Sequence, residues 1–170
     1  KAKSLVVFQR TPNLCLPMRQ RKLPAEEQNN WKNGYPDFFL RRTAWFGGFP
    51  YDFLPRNTFD DTPEEREHVF ENIWEKGGFV FWVGGYRDLF YNLEANREAY
   101  NFWAKKVRAR IQDPRKRDLL APLEPLHPFG TKRPSLEQDY FDMFNKPNVD
   151  IVAIKQNPIV KIEPEGIGKT

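Results

Sequence analysis

Leu5, Val6, Val7 and Phe8 are apolar in succession, with none of the polar alternation of a strand that has one wet face. Such a run is the pattern of a parallel strand covered on both faces. It stops at Arg10, Thr11 and Pro12. Strand-type runs return only at Val149 to Ile154 and Ile159 to Ile162, and the long interval between carries mainly helical signals. One early strand, a largely helical middle and a return to strands is the pattern of an insertion into an α/β domain. The closing residues, Gly166 to Thr170, are expected to add no third strand to a sheet.

The helical signals are local and explicit. Thr62, Pro63, Glu64 and Glu65 form a capping box with proline at the first helical position. Val69, Phe70, Ile73 and Trp74 then supply one apolar face, and Gly77 ends the helix. A second helix is predicted from Leu93 to Gln112, because Ala95, Ala99, Trp103, Val107 and Ile111 share one face and Asp113 with Pro114 terminates it. The same Asp113 and Pro114 can cap a short helix reaching Leu120. Pro122, Pro125 and Pro128 then stiffen a linker toward Phe129 and Gly130. From Asn13 to about Asp61 no period is sustained, so an irregular segment is expected, with one helix near Ala25 to Lys32. Leu136 with Tyr140, and Phe141 with Phe144, suggest a further short helix.

Composition narrows the class. The 170 residues are 39% hydrophobic, with 15 Phe, 5 Trp and 6 Tyr, which is enough for a core and excludes a disordered tail. A single cysteine, Cys15, excludes an internal disulfide framework, and His68 and His127 alone cannot build a zinc-like cluster. This favours a reducing compartment. The longest apolar runs, Leu5 to Phe8 and Phe79 to Val83, are far too short to cross a bilayer, so a soluble, cytoplasmic protein is expected. Lys1 in place of Met, with a strand starting almost at once, leads to the expectation of an internal segment of a longer chain. The net charge of +4 suits an anionic partner, whether nucleic acid, acidic membrane or phosphorylated cofactor, and charge alone does not choose.

Basic residues stand at two places where a ligand could use them. Arg10 follows the apolar strand directly, and ligands of open α/β sheets bind at the carboxyl ends of strands, where an arginine can accommodate the 2'-phosphate of NADP. A solvated arginine at a strand end is the plain alternative. Lys132 and Arg133 follow Gly130 and Thr131 in a segment suited to close approach of a ligand, and a solvated basic turn is again the alternative. Other signals are set aside. Gly168, Lys169 and Thr170 lack the first glycine of a phosphate loop, whose place falls at Glu163. Lys105, Lys106, Arg108 and Arg110, with Arg115, Lys116 and Arg117, are read as helix-end cations, so no nucleic-acid partner is expected. Asp60 and Asp61 are read as helix-dipole partners, and His68 as structural or exposed.

Val7 Phe8 Gln9 Arg10 Thr11 Pro12, followed much later by Pro128 Phe129 Gly130 Thr131 Lys132 Arg133, resembles the pattern of the Baeyer-Villiger monooxygenases. Trp74 Glu75 Lys76 Gly77 Gly78, Ala95 Asn96 and Ile111 Gln112 Asp113 Pro114 between them continue the resemblance in order and approximate spacing. So do Asp139 Tyr140 Phe141 Asp142 Met143 Phe144 Asn145 and Asn148 Val149 beyond them. Nearly the whole chain is covered, the stretch from Asn33 to Asp60 being the least familiar.

The resemblance implies an α/β fold: part of the NADPH-binding, Rossmann-like domain of a flavoprotein with two dinucleotide-binding domains, carrying a mainly helical insertion. Residues 1–12 and 129–170 would belong to that domain and residues 13–128 to the insertion. It implies that Arg10, Thr11 and Lys132 hold the 2'-phosphate of NADPH, and that Arg133 faces the flavin as the catalytic cation. In such enzymes NADPH reduces FAD, oxygen adds to give a flavin peroxide anion, and that anion attacks a ketone to yield an ester or lactone. A fixed arginine stabilises the negative charge.

The chain also departs from the family pattern. Both Gly-rich fingerprints and the motif with a histidine and a tryptophan between the domains are absent, so neither cofactor site is complete. Pro134 removes a backbone donor and restrains Arg133. Gly166 to Thr170 resembles the start of a family hairpin cut before its turn. The expected parent is an FAD- and NADPH-dependent enzyme whose isolated segment is inactive. A non-catalytic binding module is the alternative, and an oxidase or N-hydroxylase of a related flavoprotein family, expected to lack this combination of insertion and Lys-Arg pair, is a third.

Overall fold

A computed structural model describes residues 2–156, 158–164 and 166–169. Strand β1 (Leu5–Gln9) pairs in parallel with β4 (Val149–Ala153), in register from Leu5 opposite Val149 to Gln9 opposite Ala153. The two-residue strands β2 (Leu16–Pro17) and β3 (Leu136–Glu137) also run parallel. Between them lie α1 (Ala25–Arg42), α2 (Pro63–Lys76), α3 (Val80–Val83), α4 (Leu93–Arg108) and α5 (Pro114–Leu120). The expected mixed α/β organisation with a helical middle is therefore present.

The capped helices form where their sequences specify them. In α2 the Thr62 hydroxyl accepts from the Glu65 amide at 3.3 Å while the Glu65 carboxylate accepts from the Thr62 amide at 2.8 Å. Phe70, Ile73 and Trp74 are its buried face. Helix α4 is capped by Asn92 and buries Ala95, Asn96, Ala99, Tyr100, Phe102, Trp103, Ala104 and Val107, so it forms the axis of the core. Trp103, fully buried, donates its indole N–H to the Cys15 carbonyl at 2.8 Å and ties α4 to the residue before β2. One continuous hydrophobic cluster joins these helices to Leu16, Phe129, Phe141, Val149 and Ile151.

Five expectations are corrected. Helix α1 continues to Arg42 through Pro36, although none of its residues is buried. Aromatic contacts carry it past the lost hydrogen bond: Trp31 meets Phe38, and Tyr35 meets Phe39, each at 5.7 Å between ring centroids. Helix α4 stops at Arg108 rather than Gln112, because the Asn145 side chain captures the Arg110 carbonyl at 2.7 Å and the Gln112 amide at 2.9 Å. Residues 136–144 do not form an α-helix. Leu16 and Met18 donate backbone N–H groups to Ser135 and Glu137 and draw that segment into β3, and only a 3-10 turn remains at Asp142–Asn145.

Gly166–Lys169 does form a strand, β6, which pairs antiparallel with β5 (Ile159–Glu163). Finally, β1 is not covered on both faces within this chain. Leu5 and Val6 are 47% and 45% exposed, and among the described residues β1 and β4 pair only with each other.

Candidate functional site

The turn bearing Lys132 and Arg133 is built on a buried residue. Phe129 is fully buried, its ring edge-on to Phe81 at 5.5 Å. The Asn96 carboxamide, itself 6% exposed, accepts from the Phe129 amide at 2.7 Å and donates to the Phe129 carbonyl at 2.9 Å and the Leu89 carbonyl at 3.0 Å. Gly130 follows at φ +80°, its carbonyl accepting from the Trp82 indole at 3.2 Å. Thr131 closes the turn by donating its hydroxyl to the Pro128 carbonyl at 2.8 Å.

The carboxyl end of β1 approaches the same turn. Gln9 donates its side-chain amide to the Leu119 carbonyl at 2.7 Å, and Asn13 donates to the Ser135 hydroxyl at 2.9 Å. Parallel pairing of β2 with β3 thus lays residues 13–17 beside residues 135–137, and Lys132 comes round to face Arg10 and Thr11. These three, with Val7, Phe8, Gln9, Asn13 and Tyr140, line one cleft of about 360 Å3. Burial holds the Tyr140 phenol above its ordinary pKa, so it stays a neutral donor. Among the described residues neither Arg10, Lys132 nor Arg133 lies within ion-pair distance of a carboxylate. Two cations and a hydroxyl around an open cleft, without a carboxylate to neutralise them, suit an anion such as a phosphate ester. Arg133 is exposed on the same turn and does not line this cleft.

A larger groove, of about 700 Å3, lies between Met18, Arg19, Glu75, Arg110 and Glu137. Its cations are already paired: Arg19 with Glu75, Arg21 with Glu27, Lys106 with Glu71, and Arg110 with Glu137 and Asp142. Asp60 and Asp61 are structural, the first accepting from the Asn57 amide and the second from the Tyr86 hydroxyl and Arg56. His68 is exposed. No metal-binding group of side chains occurs, and no helix is long and apolar enough to cross a membrane, among the described residues.

Sequence reasoning missed Gln9, Asn13 and Tyr140 as cleft residues and Trp82 and Asn96 as supports of the turn. Asn96 had one available signal: a carboxamide on the apolar face of an amphipathic helix must find buried partners.

No family model matches the chain. It is 43% identical over 166 residues to cyclopentanone 1,2-monooxygenase from Comamonas sp. (strain NCIMB 9872), covering 98% of this chain and 30% of that protein. It is 31% identical over 169 residues to phenazine N-monooxygenase PhzNO1 from Lysobacter antibioticus, covering 98% of this chain and 30% of that one. A crystal structure of OTEMO in complex with FAD and NADP superimposes with a TM-score of 0.95 at 38% identity, over 99% of this chain and 31% of that one. The chain therefore spans about 30% of the length of the curated relatives it matches.

Proposed function

We propose, from the premise that this chain is homologous to one region of the FAD-binding monooxygenases of the Baeyer-Villiger type, that it supplies the 2'-phosphate site for NADPH and the cation that assists oxygen insertion. The complete enzyme would use NADPH, FAD and O2 to convert a ketone into an ester or lactone. The observation that carries this reading is the convergence of Arg10, Thr11 and Lys132 on one cleft without a neutralising carboxylate. Arg10, at the strand end, offers a planar guanidinium that can bind a phosphate in two places, and Lys132 adds a point charge to the same cleft. The Thr11 hydroxyl can donate between them. When bound, NADPH and FAD supply the reducing equivalents and the oxygen-activating centre.

Arg133 projects from the turn whose neighbour Lys132 faces the cleft, so a phosphate bound by Lys132 leaves Arg133 free for negative charge that develops elsewhere. A preorganised cation at such a place lowers a barrier without reorganisation. Residues 1–12 and 129–170 are assigned to the NADPH-binding domain and residues 13–128 to its helical insertion. The cytoplasm, where NADPH is available and Cys15 stays reduced, suits this enzyme.

The test is made in the full-length protein. Lys132→Ala and Arg10→Ala should each raise the KM for NADPH by about ten- to a hundredfold, the loss of one charge-assisted hydrogen bond, and leave NADH nearly unaffected. Equal losses for both cofactors would contradict the assignment. A second reading, oxygenation at nitrogen, is favoured by the similarity to a phenazine N-monooxygenase, which this chain matches over 98% of its own length. Product analysis with a cyclic ketone and a heteroaromatic amine side by side separates the two.

A further inference from the structure

We infer that Asn96 and Trp82, neither of which lines the cleft, are positioning residues that set where Lys132 presents its charge. The inference rests on the proposed NADPH site and deepens it.

The turn from Gly130 to Arg133 is short, Thr131 to Arg133 are exposed, and the Thr131 hydroxyl, which donates to the Pro128 carbonyl at 2.8 Å, bonds only within the same loop. It is held from its ends. On one side Pro134 is buried and the Ser135 carbonyl accepts from the Leu16 amide at 2.8 Å. On the other, Asn96 grips both polar groups of Phe129, which fixes the orientation of that peptide on either side of its Cα.

The match is specific. Asn96 spends both amide hydrogens on carbonyls and its oxygen on an N–H, and the reversed amide would set N–H against N–H and oxygen against two carbonyls. Aspartate would place a buried charge against the same carbonyls. Trp82 controls the next residue. A Cβ on Gly130 would stand 2.7 Å from the indole, so the ring leaves room only for a bare backbone, and its N–H takes the Gly130 carbonyl. Asn96 lies on α4 and Trp82 on α3, so two helices of the middle segment dictate the path of a turn that the cleft at the end of β1 depends on.

The experiment uses the full-length flavoprotein and its variants Asn96→Ala and Trp82→Phe, alone and combined with Lys132→Ala. Flavin absorbance reports FAD retention, and flavin reduction gives KM for NADPH and for NADH. We expect FAD retained, the KM for NADPH raised roughly tenfold and that for NADH changed less than about twofold. Adding Asn96→Ala to Lys132→Ala should then cost nothing further in NADPH preference, because the first acts through the second. An unchanged NADPH to NADH ratio in FAD-retaining variants, or additive losses in the double variant, overturns the inference. Should Asn96→Ala fail to fold, the ratio in Trp82→Phe decides by the same criterion. A wild-type protein that prefers NADH, or binds no FAD, overturns the functional reading and this inference with it. A wild type that loses its NADPH preference with Lys132→Ala but keeps it with both positioning variants overturns the inference alone.

Discussion

The carboxylate of Glu137, 6% exposed, is held by the guanidinium of Arg110 at 2.6 Å. Arg110 also reaches Asp142 and lies over the Phe141 ring at 5.5 Å, while Glu137 accepts the Tyr140 amide at 3.0 Å. Burial alone would lower the Arg110 pKa, but the hydrogen bonds to Asp142 and Glu137 outweigh it and hold it above its usual value.

Removing one partner leaves the other charge buried and unpaired. Arg110→Ala should destabilise the fold by about 3 kcal/mol, and combining Arg110→Met with Glu137→Gln should recover at least half of that, since glutamine still accepts from Tyr140. Urea unfolding of the single and double variants checks this. Equal instability in both would mean that the charge itself is not the cost.

Gly130 cannot take a side chain without moving Trp82. A positive φ costs a non-glycine residue about 1–2 kcal/mol, and the clash at 2.7 Å adds overpacking of similar size. Gly130→Ala should therefore lower stability by about 2–3 kcal/mol and weaken the turn, whereas Gly78→Ala, where nothing lies within 4 Å, should show only the φ penalty. Thermal unfolding of the two variants side by side measures the difference.

Cys15 gives a pH dependence. Burial, reinforced by the charge of Glu137, pushes its thiol from 9.0 up to about 12. The fold therefore favours the neutral thiol: its contribution is complete below pH 9 and is lost as the pH rises toward 12, up to about 4 kcal/mol in all. Urea midpoints at pH 8 and pH 10.5 should fall less in Cys15→Ala than in the parent sequence. At pH 8 the native thiol should also resist alkylation, as peptide mapping after iodoacetamide treatment would reveal.

Arg133→Ala in the full-length protein should lower oxygenated product by about a hundredfold or more, as when a preorganised donor to a developing anion is removed, with NADPH binding little changed because Arg133 does not line the cleft. Product formation at the unaltered rate would remove Arg133 from the chemistry.

Much of this molecule is legible as short-range instruction. Thr62 with Glu65, Asn92 and Asp113 start helices by accepting from backbone donors within a few residues, and Pro114 follows Asp113 at the first helical position. The spacing of Ala95, Ala99, Trp103 and Val107 specifies which side of α4 is buried. Arg10 and Lys132 could be named as candidates because a strand end and a glycine turn are local features. Tertiary structure decided the rest. Leu136 and Glu137 become a strand only because Leu16 and Pro17 lie alongside, and α4 ends early only because Asn145 arrives from far along the chain. The partners of Asn96, and the meeting of Lys132 with Arg10 and Thr11, depend on the same distant pairings. Caps and periodicity act over one or two helical turns, whereas these contacts are selected by burying Trp103, Phe129 and Phe141 in a single core.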